Sequence, residues 1–513
     1  MIYKPFVAAL LCFATYVASA QVAKEFKIDS IKQIDEVVVT GRLTFQEVIP
    51  SQKMNGALLE KLNTHSVADA LRYFSGLQIK DYGGVGGLKT VNIRSMGTNH
   101  LGIYYDGIEL GNAQNGQIDL GQFSLDNVQE ISLYNGQKSA IFQTASDFGN
   151  AGSVYIRTRR PVFYGKKSNV KLKAKYASSD MLRLSALVEQ KISDKTSLSL
   201  SAEGLTASGK YKFRYRRFNI DNTVAYDTTA VRQNGDIWAL RFEGNVNSIL
   251  SSGVLNAKLY TYHSERGIPG AIVNNVWRRG ERQWDRNTFF QASWQKSFGE
   301  RFSTRFQAKY ALYNTRYVNN DTTQLHVDNR YRQQEVYFST SNVYEILHNW
   351  SISLSYDFKF NTLWSDMKQF VWPHRYTNLI AFATALDFDK LKIQSSVLSS
   401  FIKNHTKMQQ DPKATKVLTP AFFINYAPFS SNVVSFRAFA KQSFRMPTFN
   451  DLFYAEIGNA NLKPEKATQF NIGAVVNRKW QDCVFTHFRL QTDAYYNVIS
   501  NKIMSFKKKS VGI

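Results

Sequence analysis

Between Asn349 and Asn361, apolar and polar residues alternate without a break. Trp350, Ile352, Leu354, Tyr356, Phe358 and Phe360 share one face; Asn349, Ser351, Ser353, Ser355, Asp357, Lys359 and Asn361 share the other. Successive strand side chains point to opposite faces, so a run of this length fits one long β-strand and no helix. Phe302, Thr304, Phe306, Ala308, Tyr310 and Leu312 repeat it against Arg301, Ser303, Arg305, Gln307 and Lys309. Phe436, Ala438 and Ala440 do so again beside Ser435, Arg437 and Lys441. A soluble sandwich also alternates, but it does not set this many arginines beside long aromatic faces. Strands with one face in lipid and the other against a wet interior do.

Composition agrees with a membrane β-barrel. The chain is polar on average, yet 14% of its residues are aromatic. Its N-terminus reads as an export signal: Lys4 is the positive region, Phe6 to Val17 the apolar core, and Ala18-Ser19-Ala20 the cleavage site before Gln21. The apolar run is too short for a transmembrane anchor. Cys12 leaves with the signal, so only Cys483 remains and no internal disulfide can form. Leu10-Leu11 before Cys12 depart from the small residues of a lipoprotein site. No later run is long enough for a membrane helix. The formal charge of +24 would suit nucleic acid in a cytosolic protein. In an exported chain it fits anionic lipopolysaccharide, or a field drawing in an anionic ligand, with the remainder on solvated strand ends.

Residues 42–160 read as a small α/β domain. Ser66-Val67-Ala68-Asp69 opens a short helix in which Ser66 caps the Asp69 amide and Asp69 reaches back. Val67, Ala70, Leu71 and Phe74 form its buried stripe. Strand patterns follow at Thr90–Arg94, Leu101–Tyr105, Gln129–Tyr134 and Ser153–Thr158, and Asp106-Gly107 marks a tight hairpin before Ile108. The glycine-rich Tyr82 to Gly87 lacks the lysine and hydroxyl residue of a phosphate loop, so it reads as a flexible apical loop. Gly111 to Gly121 is a second, polar loop carrying Asn112, Gln114, Asn115, Gln117 and Asp119.

Val91-Asn92-Ile93-Arg94-Ser95-Met96-Gly97, Tyr105-Asp106-Gly107 and Val128-Gln129-Glu130-Ile131 match, in order and spacing, the plug of TonB-dependent outer-membrane receptors. Ser443-Phe444-Arg445-Met446-Pro447-Thr448-Phe449-Asn450-Asp451-Leu452 and Leu462-Lys463-Pro464-Glu465 resemble two further signatures of that family. Upstream, Ile34, Asp35, Glu36, Val37, Val38, Val39 and Thr40 resemble its TonB box. Together these extend the resemblance over residues 34–505. It implies a mostly β fold: a transmembrane antiparallel barrel of an incomplete 22-strand type, with a small α/β plug inside. The expected domains are a signal at 1–20, a periplasmic leader with the box at 21–41, a plug at 42–160 and a partial barrel at 161–513. Gln21 to Gln33 leave no room for the signalling domain some relatives carry.

The resemblance also implies roles. Arg94 looks like the plug arginine that pairs with barrel carboxylates, rather than an ordinary strand-end arginine. A second plug arginine is replaced by Asn135, and a barrel glutamate by Asn471, so a possible ion pair is neutral on both sides. Asn135 and Asn471 are therefore expected to face each other and exchange amide hydrogen bonds. The ligand is expected at Tyr82, Asn99, His100, Asn112, Gln114, Asn115 and Gln117. His100 is either a ligand to a metal in the cargo or a solvated loop histidine. Leu110 to Gln129, with Asp119-Leu120-Gly121-Gln122-Phe123, is similar to the plug loop of vitamin B12 receptors. Cobalamin is the leading cargo, with ferric siderophore or haem behind it. Partners implied are TonB with its inner-membrane energising complex, the outer membrane with its lipopolysaccharide, and a possible surface lipoprotein; nucleic acid is not among them. No resident cofactor, metal site or catalytic residue is expected.

Loops are expected at Lys210–Asp227, Gly267–Asp285 and Lys403–Lys416. Lys210 to Arg217 has five basic residues in eight, interleaved with aromatics, and reads as a strand tip near lipopolysaccharide phosphates. After Phe485–Tyr496 the chain ends in Lys507 to Ile513, neither strand-like nor aromatic-ended. A truncated or frameshifted receptor is expected, or else a smaller barrel of roughly sixteen strands. A barrel enzyme would need a serine, histidine and carboxylate set that no motif organises. An adhesin would bind without energy dependence.

Overall fold

The computed structural model describes residues 48–504, apart from 50, 271, 273–279, 321–325, 430–432, 455–457 and 480–486. The expected signal, the box at Ile34–Thr40 and the basic end at Lys507–Ile513 lie outside the described residues.

The N-terminal part begins with β1 (Gln52–Asn55) and α1 (Gly56–Leu62), where the Asn55 side chain accepts from the Leu58 amide at 3.1 Å. In α2 (Val67–Leu71), Ser66 caps the Asp69 amide as expected. Asp69 reaches back to the Ser66 hydroxyl, at 2.9 Å, and takes Lys89 at 3.2 Å. Val67, Ala70, Leu71 and Phe74 are all buried. Then come β2 (Leu77–Asp81), β3 (Lys89–Ile93), β4 (Leu101–Tyr105), β5 (Ile108–Glu109), β6 (Val128–Asn135) and β7 (Gly152–Thr158). They form a five-stranded sheet, ordered β1-β6-β7-β4-β5, and a β2-β3 ribbon. Asp106 and Gly107 both have positive φ, +48° and +81°, which is the two-residue turn their sequence called for.

The remainder is antiparallel. β8 (Ser168–Ala177), β9 (Met181–Lys191) and β10 (Thr196–Ala207) are followed by a separate hairpin of β11 (Lys212–Phe218) and β12 (Val224–Val231). Next come β13 (Ile237–Leu250), β14 (Gly253–Gly267), β15 (Arg282–Phe298), β16 (Phe302–Asn319), β17 (Val327–Leu347) and β18 (Trp350–Ser365). β19 (His374–Asp387), β20 (Leu391–His405), β21 (Thr415–Tyr426) and β22 (Val434–Arg445) lead to the short helix α3 (Phe449–Phe453), then β23 (Glu465–Lys479) and β24 (His487–Ser500). All except β11 and β12 join one 15-stranded sheet in which sequence neighbours pair, with β8 and β24 at its ends. The expected loop at Lys210–Asp227 is therefore largely the β11–β12 hairpin. Alternating exposed and half-buried residues there sustain strand pairing that a charge count alone does not reveal.

Burial in the large sheet is inverted relative to a soluble protein. On β18, Ser353, Ser355, Asp357 and Asn361 are buried, while Leu354 is 54% exposed and Trp364 46%. Apolar faces point to lipid and polar faces point inward onto the N-terminal domain. Connections are short at one end of the sheet, as at 251–252, 299–301 and 348–349. They are long at the other, as at 208–236 and 446–464. In a bacterial barrel the short turns lie in the periplasm and the long loops outside.

Candidate ligand face and plug–barrel contacts

The polar loop Gly111–Gly121 lies at the long-loop end. Asn112 organises it: its Oδ1 accepts from the amides of Gln114 at 3.0 Å and Asn115 at 3.1 Å, and its Nδ2 donates to the Gln117 carbonyl at 3.1 Å. Asx turns of this kind fix a loop without regular structure. The barrel then grips it. Gln333 of β17 accepts from the Gln114 amide at 3.0 Å, and the amides of Phe449 and Asn450 donate to the Ala113 and Gln114 carbonyls. With its amide oriented to suit both neighbours, Asn99 donates to the Gly116 carbonyl and accepts from Arg445, each at 3.0 Å. Asn115 and Tyr82 are exposed, the latter by 50%. Tyr82, Asn99, Asn112, Gln114, Asn115 and Gln117 thus split into an exposed pair and a partly buried scaffold. His100 stands apart from these: it is buried, not solvated, and its imidazole meets Glu465.

The hairpin Asp106-Gly107 is held against the barrel wall nearer the short-turn end, at Lys258 and Gln307. Tyr105 donates to Glu243 at 2.6 Å, and Lys258 reaches Asp106 at 2.8 Å and Glu243 at 3.0 Å. Phe123 stacks on Tyr260, and Tyr260 on Phe289, with ring centroids 5.4 Å and 4.8 Å apart.

A second contact holds the flank. Asp126 takes Lys173 at 2.5 Å, Ser185 at 2.6 Å and Arg183 at 3.3 Å. Burial works to raise its carboxyl, but Arg183 and the hydrogen bonds from Lys173 and Ser185 prevail and hold it down at about 2. Arg183 also pairs with Glu203, which Arg241 reaches at 2.6 Å.

A third contact centres on Asp357, wholly buried on β18. It accepts from the amides of Ala145 at 3.1 Å and Ser146 at 2.8 Å, from Ser339 at 2.7 Å and from Tyr337 at 3.1 Å. Ser341 and Ser355 donate to the Gln143 carbonyl just before. A barrel carboxylate thus satisfies the free amides opening the 3-10 turn Ala145–Gly149. The sequence signal for it was a single carboxylate among serines on the polar face of β18.

Arg94 meets the barrel, but not as a direct carboxylate pair. Its guanidinium lies 4.4 Å from the Tyr495 ring centre and donates to the Asn471 carboxamide at 3.1 Å. Burial lowers its basicity, opposed by the nearby Asp493 charge. Asp493 is itself paired with Arg437 at 2.5 Å and accepts from Asn471 at 3.3 Å. The expected Asn135–Asn471 exchange is not made. Asn471 is occupied by Arg94 and Asp493, and the Asn135 carboxamide oxygen is buried without a partner. A neutral Asn471 bridges a cation and an anion that were already present, a role that needs no second asparagine.

Two family models match this chain: the TonB-dependent Receptor Plug Domain over residues 46–149, and the TonB dependent receptor-like beta-barrel over residues 122–509. The chain belongs to the TonB-dependent receptors. Among its relatives in sequence are two vitamin B12 transporters called BtuB. That of Vibrio vulnificus is 23% identical over 461 residues, 86% of this chain and 67% of that protein. That of Photobacterium profundum is 20% identical over 469 residues, 90% and 70%. Among solved structures, the FrpB iron transporter of Neisseria meningitidis superimposes with a TM-score of 0.69 at 12% identity, covering 91% of this chain and 74% of that one. The Serratia marcescens hemophore receptor HasR, solved with its hemophore HasA and heme, gives 0.66 at 14%, covering 88% and 73%. These relatives are transporters and receptors, not enzymes.

In this receptor the two C-terminal signatures converge on Glu465. Its carboxylate is fully buried and meets His100 at 2.7 Å, Arg445 at 2.8 Å, the Ile503 amide at 2.8 Å and Lys502 at 3.4 Å. Arg445 also holds Asp451 at 2.6 Å, beside the complete capping box of Thr448 and Asp451 that starts α3. His100 thus ties a plug turn to the barrel. Such polar contacts fix register, because a buried ion pair is near break-even against apolar packing yet costs about 3–5 kcal/mol when one partner is removed.

Proposed function

We propose that this receptor imports a scarce metal chelate across the outer membrane, with cobalamin the leading cargo and ferric siderophore or haem the alternatives. The observation that carries the reading is the polar loop Gly111–Gly121, fixed by Asn112 and gripped by Gln333, Phe449 and Asn450 at the outward end. A loop tied to both plug and barrel can pass ligand contact to either. The cobalamin preference rests on the likeness of Leu110–Gln129 to vitamin B12 receptor loops and on two relatives that bear that name. The neighbours in structure include an iron transporter and a heme-loaded hemophore receptor, which keeps the alternatives in play.

Ligand binds from outside at Tyr82, Asn115 and the loop around them, and the Ile34–Thr40 box becomes available in the periplasm. TonB adds to Val37–Thr40 as a β-strand through main-chain hydrogen bonds, and energised pulling remodels the plug. The seam to be remodelled mixes polar contacts such as Asp357 with Ala145 and Ser146 and apolar ones such as Phe123 with Tyr260.

The test is uptake of labelled cyanocobalamin, set against ferric chelates, by cells carrying the full chain or a chain lacking residues 34–40. Deletion should abolish uptake and leave surface binding intact. Saturable binding of a ferric chelate with none of cyanocobalamin would move the cargo to the alternative. Binding with uptake indifferent to the deletion would remove the energised mechanism.

A further inference from the structure

The lipid-facing side of β15–β18 can be read in rows, because the four strands pair in continuous register. Phe298, Phe302, Tyr344 and Ile352 form one row, and Phe290, Tyr310, Val336 and Phe360 another farther toward the long loops. Thr288, Leu312, Gln334 and Thr362 come next. From the first row to this one the chain advances ten residues, Phe298 to Thr288. At about 3.4 Å per residue and a tilt near 40°, that climbs roughly 26 Å, the height of the apolar band of an outer-membrane barrel.

The chemistry changes at the following row, which is Arg286, Asn314, Arg332 and Trp364. Above it lie Trp284, Arg316 and Arg330. Four arginines therefore cluster on the outward face at the upper edge of the band, flanked by two tryptophans of the kind that mark a membrane interface. Arg286, Arg330 and Arg332 are exposed. Arg316 pairs with Asp328 at 2.7 Å, and Arg332 donates to Asn314 at 3.2 Å. Arg286, Arg330 and Arg332 make no ion pair among the described residues.

We propose that this arginine crown is a docking surface for the phosphorylated glycolipid of the outer leaflet, its guanidiniums holding the headgroup phosphates while the apolar rows below meet the acyl chains. Arginine suits the task because its planar fork binds phosphate oxygens in pairs. The site lies outside the lumen and is independent of the cargo. On the Lys210–Arg217 hairpin, by contrast, Arg214 and Arg216 are both bound to Asp227.

The experiment measures lipid retention by the purified full chain in detergent, with bisphosphorylated lipid A and fully dephosphorylated lipid A as probes. The wild-type chain should retain the phosphorylated form about tenfold better, and R286Q/R330Q/R332Q should bring the two probes level. Millimolar inorganic phosphate should leave retention unchanged, and R214Q/R216Q should behave as wild type. Equal retention of both lipids by the wild-type chain would overturn the proposal without any variant. So would an unaffected triple variant, displacement by inorganic phosphate (a small-anion site), or a loss confined to R214Q/R216Q. If the triple variant does not fold, R332Q and the wild-type ratio of the two lipids decide.

Discussion

His100 and Glu465 stand 365 residues apart in the chain and meet at 2.7 Å, imidazole Nε2 against carboxylate Oε2, both out of reach of solvent. Glu465 serves His100, Arg445, Lys502 and the Ile503 amide at once. Glu465→Ala strands all of them, and its expected cost is about 3–5 kcal/mol. Glu465→Gln keeps an acceptor for the Ile503 amide and should cost less. Urea unfolding of the two variants checks this; equal losses would mean that the negative charge carries the whole contribution and the neutral acceptor none.

Asp357 is expected to anchor the plug segment it caps. Asp357→Ala leaves the amides of Ala145 and Ser146 and the hydroxyls of Ser339 and Tyr337 facing an apolar methyl. The expected penalty is about 2–4 kcal/mol, borne by plug docking rather than by the strands. Limited proteolysis at Lys138 should accelerate while the heat-resistant β-sheet signal persists. Unchanged cleavage would place the anchor elsewhere.

Much of this was legible because period-two alternation and turn chemistry are local. The strand containing Trp350–Phe360, the Asp106-Gly107 turn and the buried stripe of α2 followed from residues within a few positions of one another. The contacts between plug and barrel did not. His100 reads as a loop residue because Glu465, its partner, is brought to it only by the folding of the large sheet around the plug. Asn471 was matched to Asn135 by counting missing charges, whereas the fold offers it Arg94 and Asp493. The β11–β12 hairpin was hidden because its basic residues masked an ordinary strand alternation.

Gly473 lies between Arg437 and Asp493 in the cross-strand register of β22, β23 and β24, so their 2.5 Å ion pair passes over a residue with no side chain. A Cβ there would fall 2.5 Å from Asp493 Oδ1 and 3.0 Å from Arg437 Nε. Gly473→Ala should force the pair apart and cost up to about 3–5 kcal/mol, the range for splitting a buried ion pair. Gly473→Ala combined with Arg437→Met and Asp493→Leu should recover the part of that loss owed to the ion pair, leaving the 2.8 Å approach of the new Cβ to the Thr492 carbonyl. A single variant as stable as wild type would show that the pair relaxes freely.

Asp147 carries the pH dependence that can be assigned with a sign. Burial pushes its carboxyl up to about 6, against the lowering influence of the Tyr155 hydroxyl and Lys138. An unfolded aspartate titrates near 3.9, so between about pH 4 and 6 the folded plug holds a proton that the unfolded chain releases. The contribution of this group to stability is therefore full at about pH 4, falls as pH rises through 6, and is flat above. Asp147→Asn keeps an acceptor for Tyr155 and removes the titration. Urea midpoints of wild type and variant should differ least near pH 4, with the variant gaining relative to wild type up to pH 7.5. Parallel midpoints across that range, or a gain that grows toward acid, would mean that Asp147 is charged in the folded protein throughout.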